Sequence, residues 1–413
     1  MAYDVVVVGA GPSGSTVARC IARGGYNVLL VEEHPKVGIP THCTGKVSVN
    51  ACRELSLEPP TVLNELRGAI FHSPSGRTVT FDRRETQAYV IDRADFDHSL
   101  AMRAVESGAA LSTNTRVQRV VVKESGVSVS LSEEGKNREC SCRVLVAADG
   151  ATSGIARQRE LYSKKSSDVR FAAQRVVSEL AGNDSAFAEV FFGRDYAPGF
   201  FAWLVPMGSR RAHVGLAVKP DTGRPPLEYL DRLIRSHPSL SPRLSNVSLS
   251  EGIVHTIPTG GCLRRTVDKG LLIVGDAAGQ VKSTTGGGLY YGMLCAQIAG
   301  KAICDALQSN SGVLNETKLE PYEMEWRKRL GEEISFSQRT RAFMDSLTDV
   351  EVEYLFTLLK EDASLHQLVE SFADIDYQSK VALHGLPRLI GLLAKRPRLL
   401  YKATRYYSTS KHA

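Results

Sequence analysis

The sequence predicts a mixed α/β fold, α+β overall: a Rossmann-type nucleotide-binding domain, an antiparallel-sheet domain inserted into it and a C-terminal helical region. Three observations predict this. A β-branched run from Tyr3 to Val8 breaks at a glycine-rich turn that opens a helix. Between residues 161 and 257, short alternating runs such as Arg170 to Ser178, Glu189 to Phe192, Phe200 to Val205 and Ala212 to Val218 read as antiparallel strands. From about Leu314 onward, apolar residues recur at three and four spacing between charged faces. A chain of 413 residues exceeds what one core usually fills. The expected division is 1–65, 85–160 and 258–310 for a discontinuous nucleotide domain, 66–84 and 161–257 for the sheet domain, and 311–413 for the helical region.

The first strand ends at Gly9-Ala10-Gly11-Pro12-Ser13-Gly14. Gly9 permits the tight turn, Gly11 lets the backbone approach a pyrophosphate, and Gly14 lets the new helix, with Ser15 in its first turn, pack against the sheet. That helix ends near Gly24-Gly25, and Asn27 to Val31 reads as the second strand. Glu32 follows at its carboxyl end, about 20 residues past the glycines, where an acid accepts hydrogen bonds from an unphosphorylated ribose. Glu33 is the weaker alternative. Two later strands each end beside a glycine and an acid: Arg143 to Ala148 before Asp149-Gly150, and Gly270 to Val274 before Gly275-Asp276. Asp92 can cap a helix opened by Arg93, with Asp95 in its first turn and Gly108 past its end.

With these segments in order, the chain resembles the glutathione-reductase-type FAD fold, in the branch holding aromatic hydroxylases, halogenases and geranylgeranyl reductases. The resemblance implies FAD as cofactor, with the Asp276 carboxylate on the ribityl chain, Arg93 reaching the flavin nucleotide and the backbone of Val117 touching the adenine. No second GxGxxG follows a strand, so no built-in nicotinamide domain is expected. Electrons must then come from a separate donor: ferredoxin, deazaflavin or NAD(P)H.

Three strings favour the reductases within that branch. After Asp276 the chain reads Lys282-Ser283-Thr284-Thr285-Gly286-Gly287-Gly288-Leu289, similar to the Lys-x-x-Thr-Gly-Gly-Gly of geranylgeranyl reductases. Glycines before a helix expose amides, which at Gly288 and Leu289 would stabilise negative charge on a reduced ring. Pro198 to Pro206 resembles the reductases' Pro-x-x-Tyr-x-Trp-x-Phe-Pro element, which lines their prenyl cavity, with Phe201 in place of tyrosine and Val205 in place of phenylalanine. Phe201, Trp203 and Pro206 are the substrate-binding residues it implies. Phe201, Trp203 and Val205 share one face of a strand. The loop Gly38-Ile39-Pro40-Thr41-His42-Cys43-Thr44-Gly45 resembles the reductases' cysteine loop beside the flavin, which implies cofactor contacts for Cys43, Thr44 and Gly45. An isolated alkene is a poor hydride acceptor, so a proton must be added at one carbon as hydride reaches the other. Cys43 is the candidate donor or proton-path member, with His42 as the alternative. The resemblance thus implies FAD-dependent saturation of prenyl chains of lipids or prenyl diphosphates. Two rivals share the nucleotide motifs: an FAD monooxygenase or halogenase, and a non-catalytic prenyl-lipid-binding flavoprotein.

Net charge is +6, without the basic and aromatic stripes of nucleic-acid binders, so nucleic acid is set aside. Eight scattered cysteines lack metal-ligand spacing, so no metal is expected and a reduced, cytoplasmic protein fits best. No leader or spanning segment is read. The segment from Tyr377 contains no Asp or Glu but carries Lys380, Arg388, Lys395, Arg396, Arg398, Lys402, Arg405 and Lys411 among Leu, Ile and Tyr. It reads either as a surface for anionic headgroups at the inner face of the cell membrane, or as a solvated helical face closing the substrate cavity.

Overall fold

The computed structural model describes residues 2–161, 169–180, 184–208, 210–309 and 312–407; Lys411 lies outside them. At the centre of the nucleotide domain runs the strand Ala2–Val8, flanked in parallel by Lys136–Ala147 and Val28–Val31. Leu271–Ile273 extends the parallel sheet on one side and Ala110–Ser112 on the other. Alternation of side chains divides the apolar mass into two layers. Val5, Val7, Val28 and Leu30 face the helices Pro12–Arg23, Arg93–Glu106 and Leu289–Gln308. Val6, Val8, Leu29 and Val31 face an antiparallel meander of Thr115–Lys123, Gly126–Glu133 and Lys136–Ala147. A strand covered on both faces has no use for polar alternation, which explains the unbroken valine run.

The second sheet has the order Ser248–Leu249, Val169–Ser178, Arg211–Val218, Ala202–Pro206, Phe187–Phe191, Gly68–His72, Thr78–Asp82, with Ile253–Pro258 also on Val169–Ser178. One pairing departs from the expected antiparallel pattern. The Gly68–Asp82 hairpin joins through a parallel ladder between Gly68–His72 and Phe187–Phe191. These strands lie far apart in sequence, so no tight turn dictates their direction. One face of the sheet is covered by the helix Pro226–Ser236, through Leu230 and Leu233 packed on Val214 and Leu216. The other face, with Trp203, Val205, Ala172 and Ile257, turns toward the nucleotide domain and meets Val281.

A small third sheet, unforeseen in the sequence, joins Lys46–Ser48 and Val62–Leu66 to Ala88–Ile91. It anchors the exit of the Cys43 loop. Beyond it come the helices Glu316–Ser346, Asp349–Glu361, Ala363–Phe372, Ser379–Leu393 and Pro397–Tyr407. The first of these buries Tyr322 and Trp326 in the core of the nucleotide domain, so the C-terminal region is packed onto the rest and not appended to it.

Close backbone packing at the glycine turn gives a first prediction. A Cβ on Gly14 would lie 1.8 Å from Gly9 O and 3.2 Å from Ala148 Cβ. Relieving that contact forces helix and strand apart, so Gly14→Ala should cost about 1–3 kcal/mol of stability. Urea unfolding of the flavin-free protein measures it, with the midpoint falling and the slope unchanged.

Candidate functional site

The glycine turn divides its roles between packing and opening. A side chain on Gly9, at φ +98°, would meet Ala148 O at 2.3 Å. Beside Gly11 no atom other than those of its chain neighbours and its own helix lies within 4 Å of the position a Cβ would take, so this glycine faces open space. The helix Pro12–Arg23 begins there without a side-chain cap, leaving its first amides for an anion. Ser15 is fully buried and its Oγ donates to Ala10 O, so its hydroxyl shapes the turn from within.

Glu32 sits across this turn. Its Oε2 accepts from Ala10 N at 2.9 Å, while Oε1 accepts from His34 N at 3.0 Å and lies 2.7 Å from His34 Nδ1. Glu33 turns outward and lies 3.4 Å from Arg116 Nε. Val117 is half-buried in the neighbouring strand Thr115–Lys123. Asp149, just past the strand Lys136–Ala147, accepts from Ile155 N through Oδ2, but its buried Oδ1 has no partner among the described residues. Burial holds this carboxyl above its ordinary proton affinity. An open glycine, uncapped amides and an orphaned acceptor together fit a dinucleotide with donors and a pyrophosphate.

Past the nucleotide turn, Arg93, Asp276 and Cys43 converge although they come from three separate parts of the chain. Arg93 is gripped by Asp97 through two bonds, Nε–Oδ1 at 2.9 Å and Nη2–Oδ2 at 2.8 Å. Burial opposes the guanidinium's charge, but Asp97 and then the Cys43 sulfur outweigh it and hold the proton firmly. The Gly45 amide lies 3.4 Å from Cys43 Sγ, and Gly45 itself, at φ +73°, packs where a Cβ would come within 2.2 Å of Ile91 O. Thr44 lies half-buried between them. Asp276 lies at the uncapped start of the helix Leu289–Gln308, where a Cβ on Gly288 would stand 2.5 Å from Asp276 Oδ1. Asp276 is exposed to solvent, with Arg93 near enough to act on its carboxylate.

The loop before that helix is tied down from an unexpected direction. Lys282 is buried and donates to Asp376 Oδ1 at 2.8 Å and to Ile375 O at 3.1 Å. Ser48 Oγ donates to the other oxygen of Asp376, and Thr284 Oγ1 to Gln378 Oε1. Lys46 was not foreseen either. Its side chain is accessible from the cleft, near enough to Cys43, Lys282 and Asp376 to feel their charges, and burial followed by Lys282 lowers its proton affinity.

The aromatic wall stands opposite. Trp203 lies across from Gly215, where any side chain would meet the indole at 2.7 Å, and its Nε1 donates to Gln174 Oε1 at 3.2 Å. Gln174 Nε2 lies 3.1 Å from His213 Nδ1, and burial depresses that imidazole to about 4. Phe200 and Phe201 stack at 4.4 Å, and Phe201 meets Trp203 edge-on at 6.0 Å. Pro206 does not join them. Strand alternation sends it to the face of Ala202 and Leu204, and its carbonyl accepts from Asn64 Nδ2. Gln174, Lys46 and Asp376 carry no motif; only their polarity within buried or cleft-facing segments could have signalled them.

The Asp276 carboxyl gives a second prediction. Burial raises it from an ordinary value near 3.8 to about 6, against the pull of Arg93. Its raised folded value means that it favours the folded state below pH 4, a contribution lost as the pH climbs through about 6. The flavin-free protein should therefore lose thermal stability over that interval. In Asp276→Asn the loss should be smaller, by an amount that solvent screening keeps modest.

A family model described as an FAD binding domain matches residues 2–329. A digeranylgeranylglycerophospholipid reductase from Methanothermobacter thermautotrophicus is 35% identical over 369 residues, covering 87% of this chain and 92% of that protein. Among solved structures, a geranylgeranyl bacteriochlorophyll reductase-like protein from Thermoplasma acidophilum has a TM-score of 0.85 at 23% identity, covering 95% of this chain and 99% of the other. A halogenase in complex with FAD has a TM-score of 0.70 at 14% identity, covering 98% and 95%, and shares the fold alone. The chain is an FAD-dependent oxidoreductase and belongs to the digeranylgeranylglycerophospholipid reductase family.

Proposed function

We propose that this protein saturates the double bonds of geranylgeranyl chains on a diether-type phospholipid or a related prenyl compound. The observation that supports the reading is the meeting of Cys43, Arg93 and Asp276, from three separate parts of the chain, at one place. The Trp203 face of the second sheet is turned toward that domain. Bound FAD, once reduced, supplies the hydride. The chain supplies the remainder. Gly9, Gly11 and Gly14 admit the pyrophosphate, Ser15 shapes that turn and Glu32 holds the ribose, with Val117 at the adenine. Arg93 and Asp276 orient the inner half of the nucleotide, and the amides from Gly288 and Leu289 onward favour negative charge at the ring. Thr44 and Gly45 position the Cys43 loop beside it. Phe201 and Trp203 form the apolar wall that receives a prenyl chain and excludes water. The Cys43 thiol delivers the proton to the alkene carbon that does not receive hydride. Electrons come from a separate donor, with ferredoxin, deazaflavin and nicotinamide as the three classes to test. The division of the chain into a nucleotide domain, a sheet domain and a helical tail follows the same reading.

No helix of the described residues is long and apolar enough to cross a membrane. Within the tail, Lys380, Arg388 and Lys402 are spent on Asp374, Asp362 and Glu351. Lys395, Arg396 and Arg398 remain exposed near Ile390 and Tyr401, and this smaller patch supports contact with anionic headgroups from one side. Co-sedimentation with anionic liposomes at low salt should carry the protein down and fail at high salt; protein that stays in solution at both rejects the contact.

Anaerobic photoreduction followed by addition of a geranylgeranyl lipid tests the activity. Stoichiometric reoxidation with gain of hydrogen is expected, whereas a monooxygenase or halogenase stays reduced until oxygen enters and a carrier never reoxidises. Cys43→Ser should slow the step by about 100-fold or more with flavin content unchanged. An undiminished rate removes Cys43 from the chemistry.

A further inference from the structure

Where the aromatic wall meets the loop before the Leu289–Gln308 helix, one carboxylate answers three cations. Arg170 Nη2 lies 2.6 Å from Asp345 Oδ2, Lys219 Nζ lies 3.3 Å from the same oxygen, and Arg341 Nε lies 3.1 Å from Oδ1. Arg170 makes the shortest of these contacts and donates besides to Gly199 O and Val169 O. Arg341 and Lys219 have no other carboxylate within 4 Å among the described residues. On these two alone, two positive charges face a single negative one that Arg170 already shares.

Arg341 is only 6% exposed. Its Nη1 donates to Thr284 O at 3.4 Å, and its guanidinium carbon stands 4.9 Å over the Phe200 ring. Its Nε is not aligned for a hydrogen bond with Asp345, so Nε and Asp345 Oδ1 are both buried without a hydrogen-bond partner among the described residues. Groups left in that state are costly and call for a ligand. Burial lowers the proton affinity of Arg341 to about 10 in spite of Asp345, and Arg170 adds to the effect. Lys219 stands differently. Its side chain is 41% exposed, and its stem crosses Gly199, where a Cβ would meet Lys219 Cγ at 2.3 Å. The cluster is thus open to solvent at Lys219 and closed at Arg341.

The register places the cluster at one end of the wall. Arg170 pairs with Ile257 and lies two residues before Ala172, and both of these belong to the apolar cluster of Trp203, Phe200 and Val205. Arg170 therefore lies on the Trp203 face. Gln174, which accepts the indole N–H of Trp203, comes four residues along the same strand, about 13 Å away. Phe200 and Phe201, stacked at 4.4 Å, follow directly on Gly199. An apolar wall with surplus positive charge at one end complements an amphiphile whose anionic group terminates an apolar chain.

We propose that Arg341 and Lys219, held in place by Asp345 and Arg170, form the seat of the phosphate that ends the prenyl substrate. The inference deepens the reading of the protein as a prenyl reductase and rests on it. The chemistry recognised is that of a phosphate ester, whether in a lipid headgroup or in a prenyl diphosphate. Arg341 offers fixed N–H donors, Lys219 a flexible ammonium at the entrance, and Asp345 Oδ1 an acceptor for a neighbouring hydroxyl. No bond is made or broken at the seat; it anchors the head while the chain lies along the wall.

The test uses the full-length holoprotein, photoreduced without oxygen. Three substrates are compared: geranylgeranyl diphosphate, a geranylgeranyl diether phospholipid in mixed micelles, and geranylgeraniol, which has the chain and no phosphate. In Lys219→Met and Arg341→Gln, kcat/KM on a phosphorylated substrate should fall tenfold or more relative to geranylgeraniol, through KM. Lys219→Arg should recover most of the preference. A fall confined to the phospholipid assigns the seat to a lipid headgroup, and one confined to the diphosphate assigns it to a prenyl diphosphate. An unchanged ratio in both variants overturns the seat. So does an equal fall on all three substrates, which marks a packing role. Should Arg341→Gln lose its flavin, the exposed Lys219 decides alone. Calorimetric titration of the holoprotein with inorganic pyrophosphate separates the seat from the reading beneath it. Binding that weakens tenfold in Lys219→Met, while no prenyl compound is reduced, leaves the anion seat standing and removes the reductase. Reduction of all three substrates with an unchanged ratio keeps the reductase and removes the seat.

Discussion

Everything around the ring end of the cleft depends on one buried ion pair, Lys282 with Asp376. A buried lysine in the loop before the Leu289–Gln308 helix cannot be left without a counter-charge, because an uncompensated buried charge costs about 3–5 kcal/mol. The counter-charge comes from the C-terminal region. The same carboxylate takes the hydroxyl of Ser48, five residues past Cys43, and its backbone carbonyl takes the hydroxyl of Tyr291. One aspartate thus holds the cysteine loop, the glycine loop and the helix behind it in a single arrangement. A second staple, Asp345 with Arg170 and Arg341, joins the long Glu316–Ser346 helix to the substrate sheet, and Arg341 lies over the Phe200 ring.

The two sheets use the same rule of alternation for different ends. In the nucleotide domain it sends valines into two separate apolar layers and leaves the strand ends free to carry Gly9, Glu32 and Asp149. In the second sheet it sends Leu204 to a sealed core and Trp203 to the face that meets Val281 of the nucleotide domain. Trp203 then needs room and direction. Gly215 supplies the room by lacking a side chain directly opposite, and Gln174 supplies the direction by accepting the indole N–H. Phe201 contributes only a ring, which is consistent with the absence of a tyrosine hydroxyl at that position.

The parts legible in the sequence are those whose cause lies within a short stretch. The βαβ unit could be read because the turn, the helix and Glu32 are specified within thirty residues, and the Asp92 cap because its partners are two and three residues away. Among the residues recognised by motif, Cys43, Arg93 and Asp276 lie close to one another, whereas Pro206 lies on the strand face opposite to that of Trp203. What could not be read comes from pairings across the chain. The parallel ladder of the Gly68–Asp82 hairpin, the third sheet and Asp376 all join segments a hundred residues or more apart, or sit in short strands with no alternating run. Likewise, the basic tail looked wholly uncompensated because its partners Asp362, Asp374 and Glu351 lie just upstream of it.

The hydrogen bond between Ser48 and Asp376 spans 328 residues. During synthesis the glycine turn and its helix can form as soon as the first strands emerge, yet the bonds that Ser48 and Lys282 make to Asp376 must wait until Asp376 has left the ribosome. Closing so long a loop is slow compared with local helix and turn formation. The Cys43 loop and the loop of Lys282 are therefore completed late in this chain, after the glycine turn at its start. A product ending short of Asp376 would leave Lys282 buried without its counter-charge and Ser48 without its acceptor.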